Sequence, residues 1–262
     1  MYVKSILVMG TLLVRFRNGW TLVQNMRAGV PCEEVVLWDG TRIAHPPGRA
    51  GLVEALMEVW LDHAYTAKFY SPGDGDVIVD AGANIGIFTI YMARQNRRCR
   101  VIALEPFAEN FKYLRENVTR ACPGNVTCRE AALGAAFGKG QMQATGSRSL
   151  DHVLEVNPAL ADGTPVIPLS GLFSLIDAGP DGIGEIDFLK VDIEGSERDA
   201  FAGASPEVLS RFKRIAMEYH DRIVPGTLDL LRRVLSPTHE VSVRPSKMEG
   251  CGILLARRRD VA

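Results

Sequence analysis

The chain has 262 residues, 47% of them hydrophobic and 23% charged, which excludes a disulfide-stapled miniprotein and a disordered chain and predicts one or two domains with a real core. Lys and Arg total 30 against 31 Asp and Glu, a net charge of −1, so no global positive field draws the protein to a phosphate backbone and nucleic acid is not an expected partner. The five cysteines, Cys32, Cys99, Cys122, Cys128 and Cys251, are odd in number and form no CxxC pair, which fits neither a disulfide framework nor a zinc site and points to the reducing cytoplasm.

The first apolar run, SILVMGTLLV at 5–14, ends at Arg15 and Arg17 and falls well short of the roughly 20 residues that span a bilayer, so it predicts a packed helix rather than a membrane segment. EVVLWDGTRIAHPP at 34–47 predicts a hairpin turning at Asp39 and Gly40. LVEALMEVWLDHAY at 52–65 carries apolar residues on a helical period. Residues 1–70 are therefore an expected N-terminal extension packed on the main domain, 71–262. Trp20, Trp38 and Trp60 all fall in it, and core packing is their expected role.

After residue 75, strands are predicted at VIVDAG (77–82), RVIALEP (100–106), VTCREAAL (126–133), IDFLKVDIEG (186–195), RIAMEYH (214–220), HEVSVR (239–244) and GILLAR (252–257). Helical patterns, IFTIYMARQN, AENFKYLRENVTRA, SERDAFAGASPEVLSRF and TLDLLRRVLS, separate most of them. Near-continuous Val, Ile, Leu and Phe in the first and fourth strands marks parallel strands covered on both faces, hence a doubly wound, mostly parallel α/β sheet. RPSKMEGC leaves no room for a crossover helix, so the last two strands form an antiparallel hairpin. A Gly-, Pro- and Ser-rich insertion, about 140–175, precedes the fourth strand.

The turn after the first strand reads AspAlaGlyAlaAsnIleGly. Asp80 ends the strand, and Gly82, Asn84 and Gly86 lead into a helix, a pattern that suits either a ligand cradle or a tight strand-to-helix turn. Glu105 ends the second strand 25 residues later, near the spacing at which an acid reaches ribose hydroxyls. A dinucleotide fold wants a glycine where Asn84 stands, and the Asp80 carboxylate would repel a pyrophosphate. S-adenosylmethionine carries an amino group and a ribose but no phosphate, and is the favoured cofactor over NAD. The alternatives are an NAD-dependent oxidoreductase and a non-catalytic cofactor-binding protein.

At the carboxyl end of the fourth strand, alternation puts Lys190, Asp192 and Glu194 on one face, where ligands bind in open α/β sheets. An internal Lys190–carboxylate pair is the competing reading. Glu218 and His220 share a face of the fifth strand. A neutral hydroxyl acceptor gains from a base, for which His220 is the first candidate and Asp192 or Glu194 the second. Two acids spaced by one residue make an incomplete hard-cation site, so no metal is assigned.

DAGANIG, ALEP, FLKVDIEGSE and MEYH, in this order and spacing, resemble the FkbM family of S-adenosylmethionine-dependent methyltransferases, a branch of the Rossmann-like class I methyltransferase fold. The resemblance covers about residues 54–256. It implies a seven-stranded sheet, with Asp80, Gly82, Asn84 and Gly86 along the methionine part of the cofactor, Glu105 on the ribose, and Glu130 and Ala131 near the adenine. It also implies an O-methyltransferase acting on a hydroxyl of a small molecule, natural product or glycan. Nucleic acid and integral membrane association are not expected, and a homo-oligomer is left open. Sequences of this family usually carry LeuAspAsp before the fourth strand, where this chain has Leu169, Ser170 and Gly171. If those acids only cap the next helix, Ser170 serves as well.

Overall fold

The computed structural model describes residues 2–122, 124–144, 152–156, 162–176, 184–246 and 248–261. Two helices open the chain, α1 (Tyr2–Arg15) and α2 (Gly19–Ala28), so close that a Cβ on Gly19 would stand 2.2 Å from the Leu12 carbonyl oxygen. β1 (Glu34–Val36) and β2 (Arg42–Ala44) pair antiparallel around the predicted turn, with Gly40 at φ +87°. The helical pattern over 52–65 becomes α3 (Leu52–Leu56) followed by a π-helical stretch, Met57–Leu61.

The main domain follows as β3 (Val77–Ala81), α4 (Ile87–Gln95), β4 (Arg100–Leu104), α5 (Ala108–Ala121) and β5 (Val126–Arg129). Next come β6 (Ala132–Leu133), β7 (Gly138–Ala144), β8 (His152–Val156), β9 (Thr164–Ile167) and a 3-10 turn, Leu169–Leu175. The chain closes with β10 (Phe188–Val191), α6 (Glu197–Ala202), α7 (Pro206–Leu209), β11 (Arg214–His220), α8 (Thr227–Leu235), β12 (His239–Pro245) and β13 (Cys251–Arg258).

Seven strands form one sheet in the order β12-β13-β11-β10-β3-β4-β5. All neighbours are parallel except β13, which runs antiparallel to both β11 and β12. This is the predicted doubly wound, mostly parallel seven-stranded sheet with its final antiparallel hairpin. The chain leaves β3 toward β4 on one side and returns to β10 on the other, so the crevice at the carboxyl ends of β3 and β10 is the switch point where open α/β sheets bind ligands.

Strand alternation sorts the core into two faces. Val79, Ala81, Leu104, Leu189, Val191 and Met217 face one apolar cluster. Ile78, Ala103, Phe188 and Ala216 face the other, which also contains Leu12, Phe16, Leu22, Val35, Ile43, Leu56 and Tyr65. The N-terminal 70 residues thus share a core with one face of the sheet.

Three local expectations are corrected. The run 126–133 breaks at Glu130 and Ala131 into β5 and β6, which belong to different sheets. The 196–212 pattern is two short helices, because Ser205 caps Val208 N–H and Pro206 starts a new helix at its first turn. Trp20 and Trp38 are 61% and 65% exposed rather than core residues, and the Trp38 indole N–H donates to the Val14 carbonyl at 2.8 Å. Part of the predicted insertion forms a small sheet, β6-β9-β7-β8, while its residues 145–151 and 157–161 lie outside the described residues. Leu12 of the first apolar run is fully buried, whereas Val14 is 72% exposed. Among the described residues no helix is long and apolar enough to cross a membrane, and the five cysteines are free thiols.

Candidate active site

One cavity of about 320 Å³ opens at the carboxyl ends of β3, β4, β10 and β11. Its first half is the turn after β3. Gly82 has φ +77°, Asn84 φ +51° and Gly86 φ +94°. These glycines are set by packing: a Cβ on Gly82 would lie 1.8 Å from the Asp192 carbonyl oxygen, and one on Gly86 would lie 2.9 Å from Leu114. Asn84, in a conformation uncommon for a residue with a side chain, donates its backbone N–H to Glu105 Oε2 at 2.7 Å, and Phe107 N–H donates to Oε1 at 2.9 Å. Burial pushes Glu105 up to about 7, against the pull of these two N–H groups.

Gly82, Asn84 and Glu105 line the cavity; Asp80, Gly86, Glu130 and Ala131 do not. Asp80 is fully buried below the turn, where it accepts from Thr89 Oγ1 at 2.6 Å and pairs with Lys190 Nζ at 3.3 Å. Parallel register places Lys190 directly beside Asp80. Glu130 is exposed, and Ala132 and Leu133 face the cavity in its stead.

The second half gathers side chains from β10, β11 and the N-terminal extension. β10 ends at Val191, so alternation does not carry through to Glu194, which takes φ +50°. Asp192, Ile193 and Glu194 all line the cavity. Lys190 donates to the Gly82 carbonyl at 2.8 Å and stands 3.6 Å from Asp192. Burial opposes its charge, but Asp80 and Asp192 outweigh burial and hold it above the usual lysine range. The internal ion pair foreseen for Lys190 therefore exists and at the same time ties the Gly82 turn to β10.

Tyr65 places its hydroxyl 3.2 Å from Asp192 Oδ2 and 3.3 Å from Glu218 Oε2. Burial, then the negative charge of Asp192 and Glu58, pushes Glu218 up to about 8, and burial with Asp192 pushes Glu58 up to about 7. His220 shares its Nδ1 proton with Glu197 Oε1 at 3.0 Å, and its Nε2 lies 3.5 Å from Glu194. Burial disfavours the imidazolium, but Glu197, Asp192 and Glu194 overcome that and raise His220 to about 10. Glu197 is itself fully buried and accepts from the N–H groups of Ile193 and Gly195.

Strand alternation places Lys190 at this edge with an internal carboxylate pair as one reading and Glu218 there without a role, and Glu197 sits inside the FLKVDIEGSE motif. Glu58 and Tyr65 carry no sequence signal, since they come from the extension that folds over the site. The residues at the departure from LeuAspAsp do not line the cavity: the 3-10 turn starts after Pro168 without a side-chain cap, so Ser170 caps nothing, and a Cβ on Gly171 would meet Phe137 at 2.6 Å.

The donor set fits S-adenosylmethionine. A carboxylate fixed by two backbone N–H groups keeps oxygen lone pairs for a ribose diol, and acidic groups face the space where a ligand of positive charge gains most.

The family described as Methyltransferase FkbM domain matches residues 80–237. The chain is 28% identical over 227 residues to the 31-O-demethyl-FK506 methyltransferase FkbM of Streptomyces tacrolimicus, covering 75% of this chain and 84% of that protein. It is 25% identical over 231 residues to the AMB antimetabolite synthetase AmbE of Pseudomonas aeruginosa, covering 71% of this chain but 10% of the synthetase. Among solved structures, an rRNA methylase from Streptococcus thermophilus superposes with a TM-score of 0.46 at 12% identity, over 76% of this chain and 94% of that one.

Proposed function

The chain belongs to the FkbM family of S-adenosylmethionine-dependent methyltransferases, and from that premise we propose that it transfers a methyl group to a hydroxyl of a small molecule or glycan. The observation that carries this reading is one cavity with a ribose-type carboxylate, Glu105, at one end and an acid–histidine cluster, Asp192, Glu218 and His220, at the other. S-adenosylmethionine bound there would supply a methyl carbon on a sulfonium, a leaving group that keeps the carbon–sulfur electron pair.

Gly82, Asn84 and Glu105 would hold the cofactor, while Asp80 acts from beneath by fixing Lys190 and through it the Gly82 carbonyl. The acceptor would lie against Asp192, Glu194 and His220. A neutral hydroxyl must lose its proton as the bond forms; the carboxylates of Asp192 and Glu194 can take it, an aid of about 10² to 10⁴ in rate, whereas His220, raised to about 10, already holds its proton at neutral pH and would act through its charge and its N–H. Glu194, with 31% of its side chain exposed, connects the cluster to water. Alignment within the cavity supplies the rest, since holding reactants in line removes about 7–11 kcal/mol of barrier.

The test is release of S-adenosylhomocysteine from purified protein offered hydroxyl-bearing acceptors, with carboxylic-acid and amine acceptors alongside. Turnover confined to amines or acids, or no stabilisation by S-adenosylmethionine, overturns the reading.

A further inference from the structure

Asp192, Glu218 and His220 each offer one ligand atom, and the three atoms lie within 4.8 Å of one another. They come from the end of β10 and the end of β11, adjacent parallel strands, and they line the same cavity.

Two features separate this cluster from a hydrogen-bonded acid pair. The Tyr65 hydroxyl has one proton to give, with Asp192 and Glu218 in reach at 3.2 and 3.3 Å and Glu58 beside them, so it cannot satisfy them all. Asp192 Oδ1 is in addition buried with no hydrogen-bond partner, an arrangement that persists when something outside the chain compensates it. Lys190 pairs with Asp192 through Oδ2, at 3.6 Å, and leaves Oδ1 without a donor. The second feature is at His220. Its Nδ1 is taken by the fully buried Glu197, which leaves Nε2 toward Glu218 and Glu194. A carboxylate behind the far ring nitrogen fixes the tautomer and aim of metal-binding histidines, and Glu197 is itself fixed by two backbone N–H groups.

We propose that Asp192, Glu218 and His220 hold one divalent cation of manganese-like preference, bound through two carboxylates and one imidazole with its remaining positions open to the acceptor. Two oxygen ligands and one nitrogen suit a hard-to-borderline cation that prefers six ligands. Three protein ligands leave room for water and the acceptor oxygen. The use of the cation rests on the methyl-transfer reading above: it binds the acceptor oxygen and makes its proton easier to lose, and the proton passes to Glu194 while the oxygen forms its bond to carbon.

Manganese(II) titrated into the purified full-length chain, followed by loss of the free-ion electron paramagnetic resonance signal, tests the site with no acceptor present. One ion per chain is expected, with binding weakened at least about tenfold in Glu218→Gln and about 10- to 100-fold in Glu197→Gln. Asp192→Asn is the second ligand variant should Glu218→Gln fail to fold. No saturable binding by the wild type, or equal binding by folded ligand variants, overturns the proposal. Chelator-treated protein that binds S-adenosylmethionine and methylates its acceptor at the full rate also overturns it, while leaving the methyltransferase reading intact. Manganese binding without S-adenosylmethionine binding upholds the metal site and removes the methyl-transfer reading.

Discussion

Glu197 and His220 lie 23 residues apart in the chain, yet Glu197 Oε1 and His220 Nδ1 meet at 3.0 Å with both side chains out of water. Glu197 opens α6 and His220 ends β11, so the contact joins the helix that leaves β10 to the strand beside it. Glu197→Gln keeps the size and an acceptor but loses the charge that aims the ring. The expected result is a fall in turnover of about 10- to 100-fold with the dissociation constant for S-adenosylmethionine unchanged, since Glu105 lines the cavity and Glu197 does not. Calorimetric titration alongside steady-state kinetics checks this; a parallel loss of both would mark Glu197 as purely structural.

Lys190→Met leaves Asp80 and Asp192 buried without their cation. Removing one partner of a buried ion pair costs about 3–5 kcal/mol, to be read from the denaturant midpoint. Adding Asp80→Asn to Lys190→Met should restore part of the loss, because Asp80 is fully buried and Asn can still accept from Thr89.

Glu105→Ala is expected to weaken S-adenosylmethionine binding by about 1.5–3 kcal/mol, the worth of hydrogen bonds to a charged group, without changing the fold. Calorimetry decides, and an unchanged affinity would place the ribose elsewhere.

The pH dependence of stability carries the same residue's mark. Glu105 is raised to about 7 from an ordinary value of 4.5, so between those values the folded state binds a proton that the unfolded chain has released. Its contribution therefore declines as pH rises from about 4.5 through 7 and is flat above. Glu105→Gln should lessen the slope by that one group's share in chemical denaturation series, while Glu58 and Glu218, raised to about 7 and about 8, keep theirs. In the same window the wild type should bind S-adenosylmethionine more tightly as pH rises, since only the ionised carboxylate accepts at both oxygens.

Gly82→Ala places a methyl group 1.8 Å from the Asp192 carbonyl oxygen at φ +77°. The junction of β3 and β10 must open to admit it. Loss of soluble folded protein, or a large fall in melting temperature, is expected, whereas Gly10→Ala, with nothing within 4 Å, should be tolerated.

Local chemistry was legible in the sequence wherever a residue's role is set by near neighbours. Unbroken Val, Ile and Leu runs marked β3 and β10 because a parallel strand is covered on both faces, and the short, Pro-containing link between β12 and β13 permitted only an antiparallel return. Glu105 could be placed beside the turn after β3 through its 25-residue spacing from Asp80, because the ends of adjacent parallel strands lie at the same edge. The tertiary structure decided what depends on chain segments far apart. Glu58 and Tyr65 reach the site because the extension packs on the face that Asp80, Lys190, Glu218 and His220 share, and Tyr65 lies 127 residues from Asp192. It also decided that Asp80 supports the turn from below instead of lining the cavity, and that Glu130 turns outward where two sheets part. Periodicity fixes which way a side chain leaves its own strand, but which element covers that face is a property of packing, and here packing brings the acids, the tyrosine and the histidine into one cavity.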